Sequence, residues 1–227
     1  MAKRPAAEEE DPAWGYFDDA LMYSCHVVAA LRSGRADLLT ARIGVQFAPC
    51  LGSGEKILAQ GTFVLSEFRA PGNGVYSHSS GVFFATGRGG LALTGLFMGA
   101  QAVGNASRRS RAAADSVPRW LDVDRGSLTL STHGFYLQSG LGYRTWGWDS
   151  ITAADMVAPD RVHLDGQSTD GPVRWVLTSP WAPLLFALWC LARHSQHPRF
   201  LTNTWLPHGW WERAMAEGHR PAIGWAH

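Results

Sequence analysis

The second half of the chain alternates between apolar and polar positions. Leu128 and Leu130 alternate with Ser and Thr across 127–132, and Phe135 and Leu137 continue the pattern after a His133-Gly134 turn. Trp146 and Trp148 share a face in 144–148, and Ile151 opens a run that ends near Val157, before Pro159-Asp160. Val162 and Leu164 alternate with Arg161, His163 and Asp165. After a loop at 166–172, Val173, Trp175 and Leu177 alternate with Arg174 and Thr178. A period of two, broken by turn residues at close intervals, predicts about six short antiparallel strands. Leu128, Leu130, Phe135, Trp148, Val162, Leu164, Trp175 and Leu177 are the expected core.

The period then changes. From Pro180 to His194 the chain is apolar almost all round, which predicts a helix buried on two sides. Ser179 suits its N-cap, Pro180 its first position, and Pro198 its stop. A second helix is predicted over Phe17–Arg32, where Phe17, Leu21, Val28 and Leu31 recur at helical spacing. Asp18 and Asp19 sit in its first turn and Arg32 in its last, complementing the helix dipole. Residues 56–69 read as a strand, rich in β-branched and aromatic side chains, and Pro71-Gly-Asn-Gly74 turns the chain toward a return strand at 75–84. Leu91 to Ala114 is rich in small residues and reads as a helix, with Gly95 and Gly99 placed for close packing against a neighbour. A short helix from Trp210 to Glu217 closes the chain's Trp-rich tail.

Composition narrows the picture. The formal net charge is +1, so no overall field recruits nucleic acid, and no nucleic-acid partner is expected. The eleven tryptophans fall mostly inside periodic segments, which favours a Trp-rich core over an aromatic contact surface. Cys25, Cys50 and Cys190 are odd in number and widely spaced, so no disulfide framework is implied and a cytoplasmic location is expected. Residues 1–12 are charged and rich in Ala and Pro, expected to be disordered, and hold no signal-peptide core. Lys3 and Lys56 are the only lysines beside eighteen arginines, a bias that suits a high-GC genome.

The phrase Gly126-Ser-Leu-Thr-Leu-Ser-Thr-His-Gly-Phe-Tyr-Leu137, the strand Trp146-Gly-Trp-Asp-Ser-Ile151 and the helix opening Ser179-Pro-Trp-Ala-Pro-Leu-Leu185 resemble the pleckstrin-homology-like superfold, above all its GRAM-type members. The chain also resembles proteins of high-GC Gram-positive bacteria. In those a Gly-Glu turn and strand (here Gly54-Glu55) and a small-residue helix with Arg108-Arg109 and Pro118-Arg-Trp120 precede such a domain. The resemblance covers about 54–198. It implies an α+β fold: an antiparallel β-barrel over 120–199, capped by a C-terminal helix. An N-terminal α+β region at 13–119, with helix, strand hairpin and small-residue helix, would precede it, and a tail at 200–227 would follow. Pleckstrin-type domains bind phosphoinositides or proteins. The basic pattern that grips a phosphoinositide headgroup is missing here, and the nearest residues are the single arginines Arg125 and Arg144.

No motif commits the chain to catalysis. It contains no GxSxG, HExxH or CxxC, and Gly87-Arg-Gly-Gly90 lacks the P-loop lysine, so neither a catalytic residue nor a cofactor is expected. Cys190, His194 and His197 fall at i, i+4 and i+7 and would share a helix face as a weak zinc candidate. The apolar surroundings and the helix C-terminus explain the same residues without metal, and no bound metal is expected. Arg108, Arg109, Arg111 and Arg119 form the one basic cluster. It reads as a solvated helix end, or, behind the apolar stretch from Leu91, as a contact for a partner or an anionic membrane. The expected function is therefore non-enzymatic binding or scaffolding with a protein partner. A peripheral membrane protein, or an enzyme with a site assembled from scattered residues, are the alternatives.

Overall fold

The computed structural model describes residues 13–39, 52–70 and 117–223. The expected tail at 1–12, the return strand at 75–84, the helix from Leu91 to Ala114, and Arg108, Arg109 and Arg111 lie outside them. The chain divides into one unit of residues 1–65 and 124–227 and another of 66–123.

Seven strands form one sheet: β1 (Ile57–Arg69), β2 (Arg119–Ser131), β3 (Gly134–Ser139), β4 (Gly142–Gly147), β5 (Ile151–Ala158), β6 (Arg161–Ser168) and β7 (Gly171–Thr178). Their order is β4-β3-β2-β1-β7-β6-β5. Two antiparallel meanders, β2-β3-β4 and β5-β6-β7, therefore flank β1. The α+β class is as expected, but the closed barrel is not: β4 and β5 are edges, and the ladder does not return on itself. Alternation along a strand is the same in open and closed sheets, which is why the sequence pattern does not separate them. At the β5 edge, register shifts occur at both ends of the strand, and the Ile151 carbonyl accepts the Trp189 indole N–H at 3.1 Å. A helix thus takes up a carbonyl at the edge where closure would need a further strand.

All eight expected core residues are buried. Phe135 stacks near Trp146 (6.3 Å), and Trp146 meets Trp175 edge-on at 4.6 Å. Gly166 leaves room for this cluster, because a Cβ there would meet Trp146 Cζ3 at 3.4 Å and the Ser150 carbonyl at 2.9 Å.

Two helices cover the sheet. Helix α1 (Tyr16–Arg32) packs on α2 (Ala182–Arg193), and α2 packs on β5 and β6. Every residue of α2 from Ala182 to Cys190 is buried, as its all-round apolar pattern requires. Its start differs from expectation. Ser179 and Pro180 stand in a turn, with the Ser179 hydroxyl accepting the Trp181 amide at 3.2 Å, and the proline of the first helical turn is Pro183. The reason is Trp181, the N-cap residue, whose indole N–H donates to the Gln60 carbonyl of β1 at 2.9 Å and to the Tyr16 hydroxyl at 3.2 Å. Docking that ring over Gly61 delays the helix by two residues, to Ala182. At the other end the helix stops at Arg193, and Pro198 begins the short helix α3 (Pro198–Leu201) instead of ending α2.

The tail returns to the start of α1. Asp18, 5% exposed in spite of its charge, accepts the Gly15 amide (2.9 Å), the Trp210 indole N–H (3.0 Å) and the Arg213 guanidinium. Trp210 and Arg213 belong to α4 (Trp210–Ala216). Trp14 stacks on His219 at 3.9 Å and bonds Asp19 at 2.9 Å. Arg32, at the other end of α1, lies over the Phe200 ring at 4.1 Å and donates to its carbonyl at 3.0 Å. The segment from Phe200 to His219 is thereby fixed at both ends of α1.

Within 66–123 the distal ends of β1 and β2 carry a Ser66–Asp122 hydrogen bond of 2.7 Å. They also carry an exposed aromatic pair, Phe68 and Trp120, with ring centroids 5.5 Å apart.

Candidate binding site

Tryptophan shapes the site. A buried indole excludes water well, but its N–H needs an acceptor. Trp148 donates to the Thr132 carbonyl at 3.1 Å; Trp181, Trp189 and Trp210 have the acceptors given above. Trp205 differs: it is 1% exposed, and no acceptor among the described residues takes its N–H.

Trp205 forms part of the wall of a cavity of about 400 Å³ between the β5–β6 turn and the segment leading to α4. Met156, Val157, Ala158 and Pro159 supply one wall; Leu206 and Pro207 continue the other. The shape follows from local chemistry. Pro159 and Asp160 turn the chain between two antiparallel strands, and β5 is irregular next to that turn. Opposite, Asn203 adopts a left-handed φ of 57°, a conformation Asn tolerates better than most residues, and Gly209 repeats it at φ 74° before α4 begins. These two reversals let the chain bend around the cavity. Arg199, at the rim, pairs with Asp155 at 2.9 Å, and Glu212 and His208 complete the polar border.

The weak zinc candidates are not brought together. Helix α2 ends before His194, so the helical spacing stops there, and His194 and His197 pack instead on Trp189 at 4.8 and 6.2 Å. The Cys190 thiol is fully buried, and its pKa is pushed up to about 12, by burial first and then by Asp155, with Arg32 opposing. A ligand to zinc must be thiolate, so this environment works against that role. Among the described residues no three His, Cys, Asp or Glu side chains are grouped to hold an ion. Arg119, the one member of the basic cluster within the described residues, is exposed at the start of β2.

The headgroup candidates separate. Arg125 is exposed, whereas Arg144 is bound to Asp124, which also accepts the Ser139 hydroxyl at 2.9 Å. Arg144 thus locks β2 to the β3–β4 hairpin.

A second polar cluster escaped the sequence reading. Glu55, its side chain 2% exposed, accepts the Tyr136 hydroxyl at 2.5 Å and the Gly52 amide at 2.8 Å, with His133 Nδ1 at 3.7 Å. Burial works to raise its pKa, but hydrogen bonds from Ser131, Tyr136 and Gly52 and the nearby His133 outweigh it, and the carboxyl lies below its ordinary value. Burial and the bond to Glu55 push the Tyr136 phenol up. Thr132 and Lys56 exchange backbone-directed bonds beside it. Each group is committed to a neighbour on the β2–β3 turn or the approach to β1, so the cluster fastens two loops.

The chain matches no protein-family model, and none of the curated proteins is similar to it.

Proposed function

We propose that this protein is a non-enzymatic binding or scaffolding module built on a pleckstrin-homology-like domain. Two meanders joined through β1, with a helix after the last strand packed on the sheet, support that fold reading. The observation that carries the functional reading is the cavity at Trp205: concave, mostly apolar, with polar groups at its border, the usual character of a recognition site. The partner is a protein, and the cavity receives part of it.

Val157, 57% exposed at the mouth, provides the test. A photo-crosslinking residue there should capture a defined partner in the native host. The same residue at Leu141, 74% exposed in the β3–β4 turn, serves as the control. Equal capture at both positions, or none at Val157, would refute the assignment.

A second reading has its own support. Residues 66–123 hold six arginines against three acidic residues, and the exposed Phe68–Trp120 pair lies in this unit. Aromatic side chains beside arginines suit an anionic bilayer surface. Cosedimentation with phosphatidylserine vesicles that is lost in high salt and in an Arg108/Arg109/Arg111→Ala variant supports it. No sedimentation at low salt removes it.

A further inference from the structure

We propose that β4 is an association edge, at which a second copy of this chain pairs antiparallel about a two-fold axis at Thr145. The sheet ends in two edges, and they are finished differently. On β5, register shifts occur at both ends, Ala154 and Met156 are buried, and the Ile151 carbonyl is taken by the Trp189 indole. Irregularity and cover of this kind close an edge to further pairing. β4 has neither. It pairs with β3 without a shift from Gly147 to Gly142, contains no lysine or proline, and leaves Gly142, Tyr143 and Thr145 exposed. The ladder sets the direction of its main-chain groups. The Trp148 amide donates to the His133 carbonyl at 3.2 Å, so the main chain there turns toward β3. Direction alternates along an antiparallel strand, so Trp146 and Arg144 also turn toward β3, whereas Gly147, Thr145 and Tyr143 turn outward.

A two-fold strand pair needs outward groups opposite outward groups. An axis at Thr145 meets this: Thr145 faces Thr145 of the second copy, and Tyr143 faces Gly147. The side chains agree. A Cβ at Gly147 would lie 2.5 Å from Asp149 Oδ1, so this position carries no side chain. The strip it leaves bare receives the Tyr143 ring of the other copy, 40% exposed in a single chain. The neighbouring registers fit worse. Sliding two residues one way sets Arg144 directly against Arg144, and like charges directly opposite oppose pairing. Sliding two residues the other way carries Tyr143 past the end of β4, onto the turn at Trp148–Ser150. At the Thr145 axis Arg144 faces Trp146 instead, and each Arg144 keeps its own Asp124. The match lies within one sequence, which is why the occupant is a copy of this chain. An edge of six residues is smaller than a standard interface, so the dimer is reversible.

Analytical ultracentrifugation of the full chain, from micromolar to about 1 mM, should show a reversible monomer–dimer equilibrium. Thr145 is exposed and its N–H turns away from β3, so changes there leave the ladder within one copy intact. Thr145→Lys and Thr145→Glu each set like charges across the axis and should weaken self-association about tenfold or more. An equimolar mixture of the two should dimerise again, because Lys then faces Glu. Thr145→Pro, which withdraws only the outward N–H, should also give a monomer, and circular dichroism matching the parent shows that each variant is folded. A parent chain still monomeric at about 1 mM, a dimer indifferent to all three substitutions, or a Lys–Glu mixture that fails to associate overturns the proposal. A crosslinker at Leu141, beside this edge, should yield a product of twice the chain's mass, which is distinct from a foreign partner caught at Val157.

Discussion

Replacing Asp18 tests how the tail is held. Its carboxylate is 5% exposed and accepts from the Gly15 amide, the Trp210 indole and the Arg213 guanidinium, whose side chain is 17% exposed. Asp18→Ala removes the acceptor from three donors and takes the Asp18 charge away from a largely buried guanidinium. Breaking a buried pair in this way costs about 3–5 kcal/mol, because the remaining charge keeps its desolvation penalty. Asp18→Asn keeps one oxygen acceptor and loses only the charge, so its cost is smaller, about 1–3 kcal/mol. For a chain of this size the alanine variant should melt about 6–20 °C lower. Urea denaturation gives the free energies. Hydrogen exchange shows where the loss falls: amides from 203 to 219 should lose protection first, before those of β6 and β7. A double-mutant cycle with Arg213→Ala should return a coupling of about 0.5–3 kcal/mol. A loss below about 1 kcal/mol for Asp18→Ala, or tail amides no more exposed than in the parent, would refute the clasp; the lower bound is that of an ordinary hydrogen bond.

Three other outcomes follow from the packing. Leu185→Ala, at a fully buried site on α2, should cost about 2–5 kcal/mol in the same denaturation assay. Gly61→Ala would place a methyl 2.5 Å from Trp181 Cδ1, and displacing that ring from the Gln60 carbonyl should destabilise by about 1–3 kcal/mol, read by thermal melting. Glu55 titrates below its ordinary value in the fold, so it adds stability above the unfolded carboxyl range and loses that contribution as pH falls through its folded value. Glu55→Gln should therefore flatten the acid limb of a stability–pH curve, and Tyr136→Phe should flatten it partly; an acid limb unchanged by Glu55→Gln contradicts the argument.

Much of the architecture was legible because it is written in local periods. The stripe through Leu21 and Val28, the alternation from Leu128 to Leu177 and the apolar run of α2 each reflect a face turned to the core. Other features depend on residues distant in sequence. Nothing in Ile57–Arg69 announces that β1 lies between β2 and β7. Thr129, Ser131 and Tyr136 are buried on what alternation marks as the solvent face. The Glu55 loop packs there and accepts the Tyr136 hydroxyl, while the Ser131 hydroxyl bonds within the β2–β3 turn. The cavity was hidden for a similar reason: Trp205 stands in an aperiodic segment, and its wall is completed by a turn at Pro159. The zinc candidate shows the converse, since a helical spacing carries meaning only while the helix lasts, and α2 ends at Arg193.

The central place of β1 also orders events in time. It leaves the ribosome before either of its neighbours, β2 starting at Arg119 and β7 at Gly171. The β5-β6-β7 meander, by contrast, pairs through short turns and closes little loop entropy. Its hairpins should form early, and the joining of β7 to β1 should come late and limit the rate of folding. During synthesis β1 waits with an apolar face that includes Ile57, Phe63 and Leu65 still uncovered. The interval before Gly171 emerges is when this chain is most exposed to aggregation.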